Sequence, residues 1–294
     1  MPELPEVETV RRGLAPILVG HRFAAVEQRR KDLRFPLPAH FAKRLEGRGI
    51  EALDRRAKYL LARLDDGEVL VMHLGMSGRF KVDHANGAES APGSFAQKAA
   101  EAPKHEHIVF HLDDGSAVRY TDARRFGYMD LIPADSLDTH PLFIGLGVEP
   151  LSKDFTPAWL AGKLKGKKTS IKAALFDQRL IAGLGNIYVC EALFRAGLSP
   201  FRSAGTIPTK TGKATAKTIA LVAGIKAVLE QAIEAGGSSL RDHARTDGTL
   251  GRFQHLFKVY GRTGKPCSRK GCGGTVARAV QNGRSSFYCP TCQR

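Results

Sequence analysis

Apolar residues at Val7, Val10, Leu14, Ile17 and Leu18 recur at the spacing of an amphipathic helix, and Gly20 stands where that helix should stop. From Val26 to Leu131 the pattern shortens to alternating runs. Segments 59–64 and 68–74 flank Asp65-Asp66-Gly67, and segments 107–112 and 117–121 flank Asp113-Asp114-Gly115. Both are hairpin signals. The first 135 residues therefore predict a helix followed by a β-rich domain of sandwich or barrel type. Within it, 83–106 is rich in Ala, Gly, Ser and Pro without apolar periodicity and predicts a long surface loop. Residues 136–155, with Pro141, Gly145, Gly147 and Pro150, read as an interdomain connection. Helical spacing then covers 157–164, 171–180, 187–196 and 211–235, the last closed by Gly236-Gly237. These fall in a helical domain spanning 156–257, and a strand-like, glycine-punctuated tail fills 258–294. The fold class is α+β and multidomain.

Charge narrows the partners. Forty-five Lys and Arg against 29 Asp and Glu give a formal charge of +16, which makes a polyanion the leading partner. No apolar run reaches the roughly 18 residues of a spanning helix. The N-terminus also lacks a basic-then-apolar leader. A protein of the cytoplasm, not bound to membrane, is the expectation.

Four of the five cysteines form Cys267-x4-Cys272-x16-Cys289-x2-Cys292. Two close pairs joined by a hairpin-length span can set four thiolates tetrahedrally about one Zn²⁺. With no open coordination position, that ion is structural. From Lys258 to the end there are eight Lys or Arg and no acid, and Arg278, Arg284, Phe287 and Tyr288 lie inside the cysteine span. A basic β-ribbon that binds nucleic acid is the reading. A second basic cluster, Lys163, Lys165, Lys167, Lys168 and Lys172, leads toward Gly183-Leu184-Gly185-Asn186. This turn lacks the third glycine of a dinucleotide fingerprint, but amides at a helix N-terminus suit a phosphate.

The chain opens Met1-Pro2-Glu3-Leu4-Pro5-Glu6-Val7-Glu8. Removal of Met1 would make Pro2 a terminal secondary amine; α-amino groups have a pKa of about 7.7–8.0, so a neutral, nucleophilic fraction exists near neutrality. Glu3 could move protons. Proline and acids also begin ordinary helices, and on the octapeptide alone that reading is favoured. Met76, in His73-Leu74-Gly75-Met76-Ser77-Gly78, and Phe126, in Thr121-Asp122-Ala123-Arg124-Arg125-Phe126-Gly127, are open to two readings. They are core residues, or wedges that enter a base stack.

Taken together and in this order, these segments resemble the formamidopyrimidine-DNA glycosylase family. Lys104-His105-Glu106-His107 and Val259-Tyr260-Gly261-Arg262 add to the match. The resemblance implies an N-terminal catalytic β-sandwich domain, a helix–two-turn–helix domain and a zinc-finger β-hairpin. It implies removal of oxidised purines from double-stranded DNA, and cleavage at the resulting abasic site by β,δ-elimination, by a monomer. Pro2 would be the Schiff-base nucleophile, Glu3 and Lys58 proton donors, and Arg284 the zinc-finger arginine of δ-elimination. His105, Arg124, Lys167, Lys168 and Asn186 would bind DNA. Met76, Arg124 and Phe126 would fill the gap left by the flipped base, and 246–254 would belong to a loop over it. The x4 cysteine spacing, where x2 is usual, and the Ala-rich stretch depart from the family pattern. Rival readings are an endonuclease VIII-like enzyme for oxidised pyrimidines, disfavoured by Leu4, a catalytically silent zinc DNA-binding protein, and a zinc-ribbon RNA-binding protein.

Overall fold

The computed structural model describes residues 2–90, 103–238 and 253–294. Inter-residue contacts divide the chain into two compact units, Met1–Ile144 with Ile233–Gln254, and Gly145–Ala232 with His255–Arg294. The sequence pattern assigns 156–257 to one segment; the contacts give Ile233–Gln254 to the first unit.

In the first unit, helix α1 (Leu4–Leu18) buries Leu4, Val7, Val10, Leu14 and Leu18. The strands are β1 (Phe23–Gln28), β2 (Ile50–Arg56), β3 (Tyr59–Leu64), β4 (Glu68–His73), β5 (Arg79–Asp83), β6 (Glu89–Ser90), β7 (Glu106–Leu112), β8 (Ala117–Thr121) and β9 (Tyr128–Pro133), with a short α2 (Phe41–Leu45) after β1. They form two antiparallel sheets, ordered β1-β7-β8-β5-β6 and β2-β3-β4-β9. One core joins them to α1: Phe23, Phe80, Phe110 and Tyr120 from one sheet face Ile50, Leu60, Leu70 and Met129 from the other. This is a sandwich. Leu61, Val69 and Val71 are buried too, which is why β3 and β4 read as nearly continuous apolar runs.

Both Asp-Asp-Gly hairpins form. Gly67 and Gly115 take φ of +83° and +85°. Asp66 Oδ1 accepts the Glu68 amide at 3.0 Å and Asp114 Oδ1 the Ser116 amide at 2.9 Å, the side-chain turns that make Asp useful there. The expected loop over 83–106 is in part strand, because β6 pairs with β5 at Val82↔Ser90. Two-residue strands bury too little to leave a periodic trace. Residues 91–102 of that loop lie outside the described residues.

The second unit carries α3 (Pro157–Leu164), α4 (Ile171–Phe176), α5 (Asn186–Arg195), most of α6 (Ala216–Glu234), and the hairpin β10 (Ala277–Gln281) and β11 (Arg284–Tyr288). Two helices are shorter than their apolar spacing predicts. α4 stops before Leu180 because Asp177 Oδ1 accepts the Arg179 amide at 3.0 Å and turns the chain. α6 starts after Thr211 because Thr215 and Thr218 cap each other's amides, at 3.2 and 3.3 Å. The β10–β11 turn is Asn282-Gly283, both at positive φ, the residues a tight two-residue hairpin requires.

Leu14 is fully buried in the sandwich core. Leu14→Ala should therefore lower unfolding free energy by about 2–5 kcal/mol. Val280→Ala, on an exposed strand position, should change it by less than about 0.5 kcal/mol. Urea unfolding of both variants tests the difference, and equal effects would contradict this packing.

Candidate functional site

The start of α1 is a cluster of buried acids. Pro2 is buried, Glu3 is the N-cap, and Glu3 and Glu6 form a reciprocal capping box, with Glu3 N donating to Glu6 Oε2 at 2.9 Å. The other oxygen of Glu6 accepts the Ser238 amide at 2.8 Å and its hydroxyl at 2.9 Å. Gly237, at φ +81°, makes this approach possible, since a Cβ there would meet Glu6 Oε1 at 3.3 Å. Glu6 thus ties the first turn of α1 to the last described residues before 239–252. Sequence reasoning missed it, although an acid three positions after an N-cap is a readable capping signal.

A chain of bonds leads from this helix to the turn that carries Lys58. Burial pushes the Glu8 carboxyl up, but hydrogen bonds from Arg11 and Arg12 outweigh it and hold the group below the usual range. Arg55 Nε donates to Glu8 Oε2 at 3.2 Å, and its Nη1 to the Ala57 carbonyl at 2.9 Å. Ala57 sits at φ +52° in the two-residue turn between β2 and β3. A left-handed alanine costs on the order of 1–3 kcal/mol, strain that persists only where its surroundings over-determine it. The turn delivers Lys58 in a buried position. Arg55 and Lys58 therefore both point away from solvent.

Tyr59 packs against His73 with ring centroids 4.9 Å apart and the rings tilted by 49°. His73 Nδ1 accepts the Gly75 amide at 3.0 Å, so the neutral ring carries its proton on Nε2. Burial, then the charges of Lys58 and Arg34, lower the His73 pKa to about 4, against the pull of Asp122. Beyond His73, Met76 is half-buried, while Arg124 and Phe126 are exposed, with the Arg124 guanidinium 4.9 Å above the Phe126 ring. Phe126 is thus no core residue. His105 is half-buried, and its carbonyl accepts the Asp122 amide at 3.0 Å. Of 246–254, residues 246–252 lie outside the described residues.

In the second unit, Asn186 opens α5 and Arg284 opens β11, and both line a cavity of about 100 Å³. Asn186 Nδ2 donates to the Ser285 carbonyl at 3.0 Å, which leaves it a second hydrogen to give. Arg284 is exposed, its guanidinium 5.3 Å above the Phe176 ring. Lys167 and Lys168 are exposed in the turn after α3 and do not line this cavity. Lys172 departs from the basic cluster: it is buried, and Nζ donates to Ser286 Oγ at 2.8 Å and Ser285 O at 3.1 Å. The glycine turn is braced from within, ahead of an α5 N-terminus that has no side-chain cap. The Gly183 amide donates to Gln178 Oε1 at 2.9 Å, and Gln178 Nε2 reaches the Leu184 carbonyl at 2.8 Å, so a side chain fills the turn.

Cys267, Cys272, Cys289 and Cys292 bring four sulfurs within 4.8 Å of one another. Cys267–Cys292 and Cys272–Cys289 stand at 3.8 and 3.6 Å. Tetrahedral Zn–S bonds of about 2.3 Å require sulfurs about 3.8 Å apart, so the set fits one zinc ion. The x4 span turns at Gly271, at φ +73°, Gly273 after Cys272 takes φ +65°, and the Cys267 amide donates to the Gly274 carbonyl at 2.8 Å. Cys190 packs in the apolar core behind this site and is no ligand.

This combination places the chain in the class of zinc-finger DNA glycosylases. Residues 1–129 match the formamidopyrimidine-DNA glycosylase N-terminal domain, 146–244 the formamidopyrimidine-DNA glycosylase H2TH domain, and 264–294 the zinc finger found in FPG and IleRS. The formamidopyrimidine-DNA glycosylases of Beijerinckia indica and a Chelativorans species are 60% and 58% identical over the whole of both chains. A Lactococcus lactis Fpg in complex with DNA containing an abasic site superposes with TM-score 0.82 at 33% identity, covering 99% of each chain. The Thermus thermophilus protein does so with TM-score 0.80 at 39% identity, over 99% of this chain and 98% of its own. The chain belongs to the formamidopyrimidine-DNA glycosylase family, whose zinc finger is structural. Among the described residues no helix is long and apolar enough to cross a membrane.

Two outcomes are expected. Cys289→Ser should leave substoichiometric zinc by elemental analysis and should lower the melting temperature; a full zinc complement would contradict the four-thiolate site. For His73, a folded pKa of about 4 against the ordinary 6.5 means the unfolded chain binds a proton that the folded chain refuses. Stability from this group is therefore full above about pH 6.5 and lost as pH falls toward 4. His73→Gln should shallow that decline by about 1–3 kcal/mol in urea unfolding, and an identical pH profile would refute the assignment.

Proposed function

We propose that the chain excises oxidised purines, 8-oxoguanine and formamidopyrimidines, from double-stranded DNA and then cleaves the strand, with Pro2 as nucleophile. The observation that carries this reading is the buried first turn of α1, where Pro2 lies beside an N-cap carboxylate held by Glu6. Burial favours an uncharged amine over an ammonium, and only the uncharged form attacks. Relatives support the substrate: Lactococcus lactis Fpg has been solved with Fapy-dG-containing DNA and with an abasic site.

The chemistry runs as follows. The Pro2 nitrogen, freed by removal of Met1, bonds to the sugar C1′, and the base leaves with its electron pair and takes up a proton. The ring oxygen then departs, protonated by Glu3, and an iminium forms between Pro2 and C1′. That cation acidifies C2′; loss of a C2′ proton expels the 3′ phosphate, and a second elimination expels the 5′ phosphate. Lys58 serves as a proton donor in the first elimination, Arg284 assists departure of the second phosphate, and water releases Pro2. His105, Arg124, Lys167, Lys168 and Asn186 hold the DNA backbone, which contributes affinity without sequence preference. Met76, Arg124 and Phe126 occupy the space of the extruded nucleotide. The enzyme works as a monomer in the cytoplasm, where the chromosome is.

Duplex DNA with 8-oxoguanine opposite cytosine, treated with borohydride during turnover, should yield a covalent adduct that maps to Pro2. Glu3→Gln should reduce base excision by about 10²–10⁴-fold with DNA affinity kept. Neither adduct nor strand cleavage by the wild type would leave a silent DNA-binding protein as the reading. Preferential cleavage at oxidised pyrimidines would favour the endonuclease VIII-like one.

A further inference from the structure

Asp122 is fully buried, yet no chemical step above uses it. Its carboxylate is shared between two turns. Oδ1 accepts the Ser77 hydroxyl at 2.5 Å, and Oδ2 accepts the Gly127 amide at 2.7 Å and the Tyr120 hydroxyl at 3.4 Å. Ser77 Oγ in turn accepts the Arg124 amide at 3.1 Å. The backbone of Asp122 is engaged as well: its amide donates to His105 O at 3.0 Å, and its carbonyl accepts His107 Nε2 at 2.8 Å and the Arg125 amide at 3.2 Å. Ser77 follows Met76, and Gly127 follows Phe126. Each side chain proposed to enter the DNA gap is thus next to a residue bonded to this one carboxylate, or, for Arg124, bonded through Ser77.

Steric fit closes the same junction. Gly75 takes φ +60°, and a Cβ on it would lie 2.2 Å from the Phe126 carbonyl carbon. A Cβ on Gly127 would lie 1.8 Å from the Tyr120 hydroxyl oxygen and 2.9 Å from Asp122 Oδ2. At Gly75 the two turns touch backbone to backbone.

We infer that Asp122 is a positioning residue that locks the turns 73–78 and 121–127 into one wedge, so that Met76, Arg124 and Phe126 enter the base stack as a unit. A gap-filling side chain must resist restacking of the flanking bases, and a side chain on a loop free to swing would be pushed aside. A carboxylate that accepts from both turns at once supplies the stiffness. The inference rests on the proposed glycosylase reading.

The test uses full-length, zinc-loaded protein and duplex DNA carrying 8-oxoguanine opposite cytosine, with 2-aminopurine beside the lesion to report broken stacking. Asp122→Ala should slow both the fluorescence rise and base excision by about 100-fold, the scale of a misplacement of an ångström. Borohydride trapping at a preformed abasic site, where no base has to be extruded, should fall only several-fold. Asp122→Asn, which still accepts the Gly127 amide, should recover most of the fluorescence rate. Ser77→Ala should show the same selective defect and decides the matter if Asp122→Ala does not fold. A wild-type fluorescence rise in Ser77→Ala or Asp122→Ala overturns the inference, as does loss of trapping in parallel with excision. Absence of trapping by the wild-type protein overturns the glycosylase reading instead.

Discussion

Three carboxylates buried within the first two turns of one helix are the constraint on which the first unit depends. Glu3, Glu6 and Glu8 are at most 9% exposed, and an unpaired buried charge would cost several kcal/mol each. The helix N-terminus satisfies part of the demand with its own free amides and dipole. The remainder is met from elsewhere: Ser238 serves Glu6, and Arg11, Arg12 and Arg55 serve Glu8. Through Arg55 the same demand fixes the strained Ala57 turn, and with it the position of Lys58. The groups proposed for the chemistry are thus placed by the need to neutralise their neighbours.

Close backbone approach sets the other side of this unit. Gly75, Gly78 and Gly127 crowd against Phe126, Leu74 and Tyr120 so tightly that a methyl group has no room at any of them. Exposed Phe126 and half-buried Met76 therefore stand on a rigid base. Under the proposed reading, an opened base stack is what covers the exposed Phe126 ring.

The second unit solves a different problem. Its last thirty or so residues bury few large side chains, and a four-thiolate zinc site replaces the missing core. Glu191 shows how the tail is anchored, since its buried carboxylate accepts the amides of Lys258, Val259 and Tyr260. Lys172 does the same for the hairpin by donating to Ser285 and Ser286. A lysine that reads as part of a DNA-facing cluster is instead the strut that holds β11, and Arg284 at its start.

Helix α1, the two Asp-Asp-Gly hairpins and the zinc ligands were legible in the sequence because each is written in local spacing: 3.6 residues per helical turn, two per strand repeat, and close cysteine pairs. The turns that cut α4 and α6 short were also local, but polar side chains rather than apolar period wrote them. The burial of Lys172, the filling of the glycine turn by Gln178, the tie from Glu6 to Ser238 and the junction at Asp122 were not legible. Each joins residues through a choice of partner among many donors of equal chemistry, and the sequence does not rank them. Local sequence determined which elements form and which metal they hold. Tertiary structure alone decided which polar groups are buried together, because the cost of desolvating a charge depends on what the fold brings within 3 Å of it.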